Sequence, residues 1–305
     1  MTRLVGLALL VLAAGAAAAD LDPSAEGPFA VGVTTLTLVD ASRARTLVTE
    51  VWYPADAPGR DGPIRRGRYP LVLMAHGNCG FRTNYEFLTV ALAARGFVVA
   101  APDFPGFNRT DCDNHVAPGD IFGEPPRDLS FLRAALHDRG GPASALAGSV
   151  RGRRTGLAGH SLGGAAVVNA SLGDREMRAV VALAPLAAPP QGRAFVGLRP
   201  RRAVLVIGGT GDTTLPFDLF PAPFFAALPA PSFLVTLVGG THSGFTDVDG
   251  RLTPEQLARQ QALTRRYAVA FLERYLGRRR GQGRFLTAAD AAAEGTDVYL
   301  TARLP

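Results

Sequence analysis

The sequence predicts an α/β protein built on a mostly parallel, eight-stranded sheet flanked by helices. Three observations lead there. From residue 69 onward, short apolar runs alternate with segments of helical periodicity, the signature of repeated strand-helix-strand crossovers. Those runs are almost continuous in apolar residues, as strands covered on both faces require. Ahead of them, 34–39 and 47–53 alternate β-branched with polar residues around the polar turn 40–45, which reads as an antiparallel hairpin.

In chain order, Arg3 precedes an apolar run over 4–19 that ends in Ala-Ala-Ala before Asp20, the layout of a cleavable secretory signal cut after Ala19. The run is short for a bilayer span, and no later stretch is long and apolar enough to be one, so a secreted or periplasmic location is expected. Residues 20–305 then form a single domain without internal repeat or long linker. The hairpin supplies two strands, and 71–75, 97–101, 155–158, 179–183, 203–207 and 233–238 supply the other six. Helical patterns fall at 85–94, 127–138, 165–172, 216–228 and 254–275. The last has the clearest start, because Thr253-Pro254-Glu255-Gln256 combines an N-cap, a first-turn proline and a capping-box glutamine. Arg274 and Arg278 to Arg280 continue its pattern and read as a cation-rich helix end. Residues 297–301 offer an edge strand. Residues 185–200 are short, rich in proline and glycine, and lack an amphipathic helix, so no large cap domain is expected over the site.

Composition excludes several classes. The net charge of +6 comes from arginine alone, there being no lysine, and the arginines are scattered rather than interleaved with aromatics on one face. Nucleic acid is therefore not the expected partner. Cys79 and Cys112 are the only cysteines, and an even pair in an exported chain favours a disulfide. Neither has metal-ligand spacing, so no metal is expected.

The chemistry is carried by Gly159-His160-Ser161-Leu162-Gly163, followed by Gly164, where an apolar strand gives way to a helix of small residues. That is the form of a nucleophile elbow: the chain reverses within a few residues, and the serine is lifted out at the strand tip ahead of a helix N-terminus. A serine hydroxyl attacks poorly unless a base takes its proton and an acid holds the base. Strand 203–207 runs into a glycine-rich turn carrying Asp212, and strand 233–238 runs into Gly239-Gly240-Thr241-His242, the only histidine after the serine. Asp218 competes for the acid role but falls in the helical segment that follows. The loops after parallel strands gather at one sheet edge, where Ser161 already lies. Two backbone donors must also receive the oxyanion. These are assigned to the N–H of Leu162 and that of Asn78, in the loop His76-Gly77-Asn78-Cys79-Gly80 after the first central strand. His160 should point away from the nucleophile as a packed residue. His76 should brace the oxyanion loop, and His115 and His137 should be solvated. Phe81 and Phe104 lie near the expected oxyanion side. Phe217 heads a cluster with Phe220, Phe224 and Phe225 that reads either as an apolar substrate rim or as helix packing.

At this point the chain resembles the α/β-hydrolase superfamily, and within it the branch of platelet-activating-factor acetylhydrolases, with dienelactone hydrolases more distant. The likeness is carried by Val51-Trp52-Tyr53-Pro54, His76-Gly77, Gly80-Phe81-Arg82-Thr83 with Tyr85, the run from Arg95 to Asp103, Gly159 to Gly164, Gly211-Asp212 and His242. The resemblance implies an α/β-hydrolase fold, a Ser161, Asp212, His242 triad, and an oxyanion donor directly after the His-Gly pair. It implies a serine esterase without cofactor. Dienelactone hydrolases use cysteine where this chain has serine. Secreted polyester hydrolases and cutinases look similar in architecture but commonly carry methionine where Leu162 stands. The expectation is an exported, monomeric serine carboxylester hydrolase for short- to medium-chain esters, with small-molecule or polymeric esters as partners. A polyester hydrolase is the alternative, followed by a non-catalytic binding protein of the same fold.

Overall fold

A computed structural model describes residues 21–186 and 202–305. The proposed signal (1–19) and most of the segment expected to leave the site uncapped lie outside the described residues. The described chain forms a ten-stranded mixed sheet in the order β10-β9-β8-β7-β6-β4-β5-β2-β1-β3. The hairpin strands β1 (Ala30–Asp40) and β2 (Arg45–Ala55) pair antiparallel in continuous register, and β2 joins the parallel core antiparallel to β5. A two-residue strand, β3 (Gly59–Arg60), pairs with β1 at the outer edge. The parallel core comprises β4 (Tyr69–Ala75), β5 (Val98–Pro102), β6 (Val150–His160), β7 (Met177–Leu183), β8 (Ala203–Gly209) and β9 (Ser232–Leu237). β10 (Val298–Arg303) closes the far edge antiparallel to β9. The eight expected strands are all present. The additional two are the C-terminal edge strand, legible at 297–301, and β3, too short to show a period.

Helices cover both faces, and this is why the core strands lack polar alternation. Leu71, Leu73 and Ala75 of β4 pack on one face with Leu129 and Val167, while Val72 and Met74 pack on the other with Leu92 and Phe271. The first face is covered by α3 (Glu124–His137), α5 (Leu162–Gly173) and α6 (Pro221–Ala227), the second by α1 (Glu86–Ala94) and α7 (Pro254–Tyr275). Short helices α2 (Arg109–Asp113), α4 (Ser144–Ala147) and α8 (Ala288–Glu294) sit in connections. α7 keeps its expected bounds, and both arms of its capping box form. Two expectations shift. Arg278 to Arg280 lie beyond the helix, which ends before Leu276, and Arg279 folds back so that its guanidinium bonds Glu273. The segment expected as helix from 216 begins only at Pro221, because the chain first turns through 217–220. Asp218 is therefore an exposed turn residue rather than a helical one.

Arg95 and Glu273 tie the second helical layer together from inside: Arg95 Nε and Nη2 meet Glu273 at 2.9 and 2.8 Å, with both side chains 1% exposed. Arg95 also donates to the carbonyls of Leu21, Asp22 and Ala25, which satisfies the rest of its buried guanidinium and pins the start of the described chain. Among the described residues no helix is long and apolar enough to cross a membrane.

Candidate active site

Ser161 stands between β6 and α5 with φ 56° and ψ −118°, a conformation costly to any residue with a side chain. The flanking glycines make it attainable. A Cβ on Gly159 would lie 2.3 Å from the Gly163 carbonyl oxygen, and one on Gly163 would lie 2.2 Å from that of Ala75. The elbow therefore closes only with hydrogen at both positions. Ser161 N donates to Leu183 O at 3.0 Å, and its carbonyl accepts from Leu186 and Ala165. The hydroxyl is thus presented from a backbone anchored on both sides.

Asp212 and His242 arrive from the ends of β8 and β9. Asp212 is 4% exposed; its Oδ1 accepts from the N–H groups of Thr214 and Leu215, both at 2.8 Å, and its Oδ2 meets His242 Nδ1 at 2.7 Å. Three bonds orient this carboxylate, which in turn orients the imidazole. Asp218 makes no such contact. Arg251 bonds Thr213 and so links the loop of His242 to that of Asp212. No hydrogen bond joins Ser161 Oγ to His242 Nε2 among the described residues; in unliganded sites such bonds are often long and tighten with substrate.

The loop after β4 lies against the elbow: a Cβ on Gly77 would come within 3.3 Å of Ser161 Cβ. The N–H groups of Leu162, at the start of α5, and of Asn78, on the exposed turn, donate to no described group. The rest of the turn is heavily fastened. His76 Nε2 accepts from Phe104 N at 3.0 Å, so its Nδ1 carries the proton and donates to Gly77 O at 2.7 Å. Burial holds this histidine below its ordinary pKa, and it braces the loop as expected. Cys79 adopts φ 54°, donates to Phe107 O at 2.8 Å, and is bonded to Cys112, with a Cα separation of 5.8 Å. Arg82 pairs with Asp103 and with the buried Glu50 of β2.

Several site-supporting residues were not recognised in the sequence. Gln260 of α7, 5% exposed, clasps the residue before His242, its Oε1 accepting from Thr241 N at 3.0 Å and its Nε2 donating to Thr241 O at 2.9 Å. Gly244 makes room for it, since a Cβ there would lie 2.2 Å from Gln260 Oε1. Asp247, in the same loop, caps α1 through the N–H groups of Glu86 and Phe87 at 2.7 and 2.9 Å. A helix start and a histidine loop 160 positions apart have no spacing signal.

Two aromatic or histidine expectations change, at Phe104 and His137, and the alternatives for the other rings are decided. His160 does follow strand alternation onto the α1 and α7 face, but the His242 loop lands on that same face. Its ring lies 4.6 Å from that of His242, centroid to centroid, and it is buried, 4% exposed. Burial first, and the nearby His242 second, hold His160 well below its ordinary pKa. Phe104 is not a substrate-facing residue: it is 0% exposed and packs on His76 at 4.9 Å, because the chain leaving β5 dives under the oxyanion loop. Phe224 and Phe225 are core residues, so helix packing accounts for them, while Phe217 is half-buried beside Gly208. Phe81 is half-buried in the loop after β4. His115 is exposed, and His137 ends α3 half-buried, its pKa lowered chiefly by burial.

An α/β sheet whose crossover loops bring an elbow serine, an aspartate and a histidine to one edge defines the hydrolase class of this architecture. Residues 72–302 match the model of the alpha/beta hydrolase family, and the chain belongs to that family. It is also similar to a bis(hydroxyethyl) terephthalate hydrolase of Streptomyces coelicolor, 27% identical over 164 residues. That alignment covers 54% of this chain and 46% of the relative, so the match spans about half the length of each.

Proposed function

We propose that the protein is an exported serine hydrolase of carboxylic esters. The observation that carries this is the Asp212–His242 pair, closed at 2.7 Å at the sheet edge that also carries an elbow serine, whose backbone conformation its glycine neighbours allow. Ser161 Oγ attacks the ester carbonyl as its proton passes to His242 Nε2. The N–H groups of Leu162 and Asn78 receive the oxyanion, and His242 then protonates the departing alcohol. Water, deprotonated by His242, attacks the acyl-enzyme and releases the acid. Asp212 holds the imidazole tautomer throughout and balances the imidazolium. The Cys79–Cys112 bond beside the oxyanion loop supports an oxidising compartment, in keeping with the signal-like start.

The relative's activity favours a narrower reading, in which the substrates include aromatic diesters of short glycols. Half-buried Phe81 and Phe217 are the apolar side chains proposed to meet the acyl or aromatic group. A panel of p-nitrophenyl esters of rising chain length, run beside bis(hydroxyethyl) terephthalate with chromatographic detection of the monoester, tests both levels. Turnover of short esters is expected, with monoester formed. A protein that binds esters without releasing alcohol would leave only the non-catalytic reading of the fold, whereas release of monomer from a polyester film would extend the substrate class to polymers.

A further inference from the structure

Three parts of the site must be held together: the oxyanion loop, the nucleophile elbow and the histidine loop. One residue touches the first two, and its chain neighbours hold the third. Tyr85 is 2% exposed, and its Oη accepts from Gly77 N at 3.0 Å while standing 3.1 Å from His160 Nδ1. Gly77 immediately precedes Asn78, whose N–H is the proposed second oxyanion donor. His160 immediately precedes Ser161, and its ring rests on that of His242. The backbone around Tyr85 is itself bound to the histidine loop, since Asn84 O accepts from Asp247 N at 2.9 Å and Asp247 caps the two residues after Tyr85.

We propose that Tyr85 is a positioning residue for ester hydrolysis, its single hydroxyl setting the oxyanion loop against the nucleophile elbow and fixing the tautomer of His160. The inference rests on the serine-hydrolase reading above. The hydroxyl accepts the Gly77 N–H, so its own proton is directed to His160 Nδ1, which places the imidazole proton on Nε2. The bond matters most when charge develops on the substrate oxygen. A donor set a few tenths of an ångström out of place loses strength steeply with distance and angle, and donors aimed at the transition state contribute little to ground-state binding. Removing the hydroxyl leaves the Gly77 N–H and His160 Nδ1 without a partner in a buried site, and the Asn78 peptide loses its reference point. Tyr85 touches no reacting atom in this account.

The test is Tyr85→Phe, which keeps the ring and deletes one oxygen. Active sites are counted by titration with an organophosphonate, so that any misfolded fraction drops out. The expected result is a kcat per titrated site lowered on the order of tenfold or more, with KM within about twofold of wild type. The inhibition constant for a trifluoromethyl ketone, whose hydrated adduct with Ser161 places an oxyanion in the same pocket, should rise by the same factor as kcat/KM falls. A kcat per site equal to wild type would overturn the proposal, whether or not the titrated fraction or the melting temperature fell, since the hydroxyl would then be only structural. A raised KM with unchanged kcat would also overturn it, by assigning the hydroxyl to substrate binding. If wild-type protein neither turns over esters nor reacts with the phosphonate, the hydrolase reading itself fails; an active wild type with an unimpaired variant removes only Tyr85.

Discussion

Ser161 is held at φ 56° by the turn between β6 and α5, and the two glycines around it are there because carbonyl oxygens occupy the space a Cβ would take. The strain is local and the loops of the site are hydrogen-bonded from several sides, so changes at single residues should separate chemistry from folding. Ser161→Ala should leave the melting temperature nearly unchanged and lower ester turnover by a factor on the order of 10⁴ to 10⁶, as measured with a p-nitrophenyl ester. Asp212→Asn keeps the bonds from Thr214 and Leu215 but presents the wrong partner to His242 Nδ1, and should lower kcat about 10⁴-fold. Full activity in that variant, with a loss in Asp218→Asn, would transfer the acid role to the exposed turn. Both proposed triad partners were legible because each follows a strand end in the right chain order. Gln260 and Tyr85 were not legible as support, since their partners lie far along the chain and neither residue type announces a backbone clasp.

Elements supply the stiffness on which these residues depend. The bond from Cys79 to Cys112 joins the oxyanion loop to α2, closing 33 positions of chain. Removing it by Cys79→Ser and Cys112→Ser together should lower stability by about 2–4 kcal/mol, read as a shift in the urea midpoint. It should also reduce kcat, because Asn78, the proposed oxyanion donor, immediately precedes Cys79. A pair of free thiols in oxidised, folded protein, seen by mass spectrometry, would remove this element of the account. In the opposite helical layer, Arg95→Ala would strand the buried carboxylate of Glu273 with only Arg279 beside it. The expected cost is about 3–5 kcal/mol, with little change in the kcat of the folded fraction. The strand and helix order of this frame was readable from apolar runs and caps, α7 to the residue. What periodicity misplaced were ends set by tertiary contact: α7 stops before the arginines that continue its pattern, and the aromatic run after Asp212 turns before it coils. The burial of Phe104 is of the same kind, since a phenylalanine beside a strand end reads alike whether it faces solvent or dives beneath a loop.

At the scale of the molecule, the sheet gathers the chemistry at one edge and buries two histidines beneath it. His76 and His160 are both held below the ordinary histidine value by burial, so the native state resists protonating them while the unfolded chain does not. The sign follows from linkage: their contribution to stability is complete above about pH 6.5, where both states are neutral, and is lost progressively as pH falls below it. Thermal melts from pH 8 to pH 5 should show a declining melting temperature over the acidic half of that range, and a flat profile would contradict the burial of these rings as neutral species. Family membership follows from the match over 72–302, while the catalytic assignment rests on geometry at the sheet edge. Its most direct test is intact and peptide-level mass spectrometry after exposure to a fluorophosphonate. One adduct per chain is expected, mapped to Ser161, with ester turnover lost in proportion to labelling. Turnover that survives complete modification of Ser161, or an adduct on another residue that accounts for the lost activity, would contradict it.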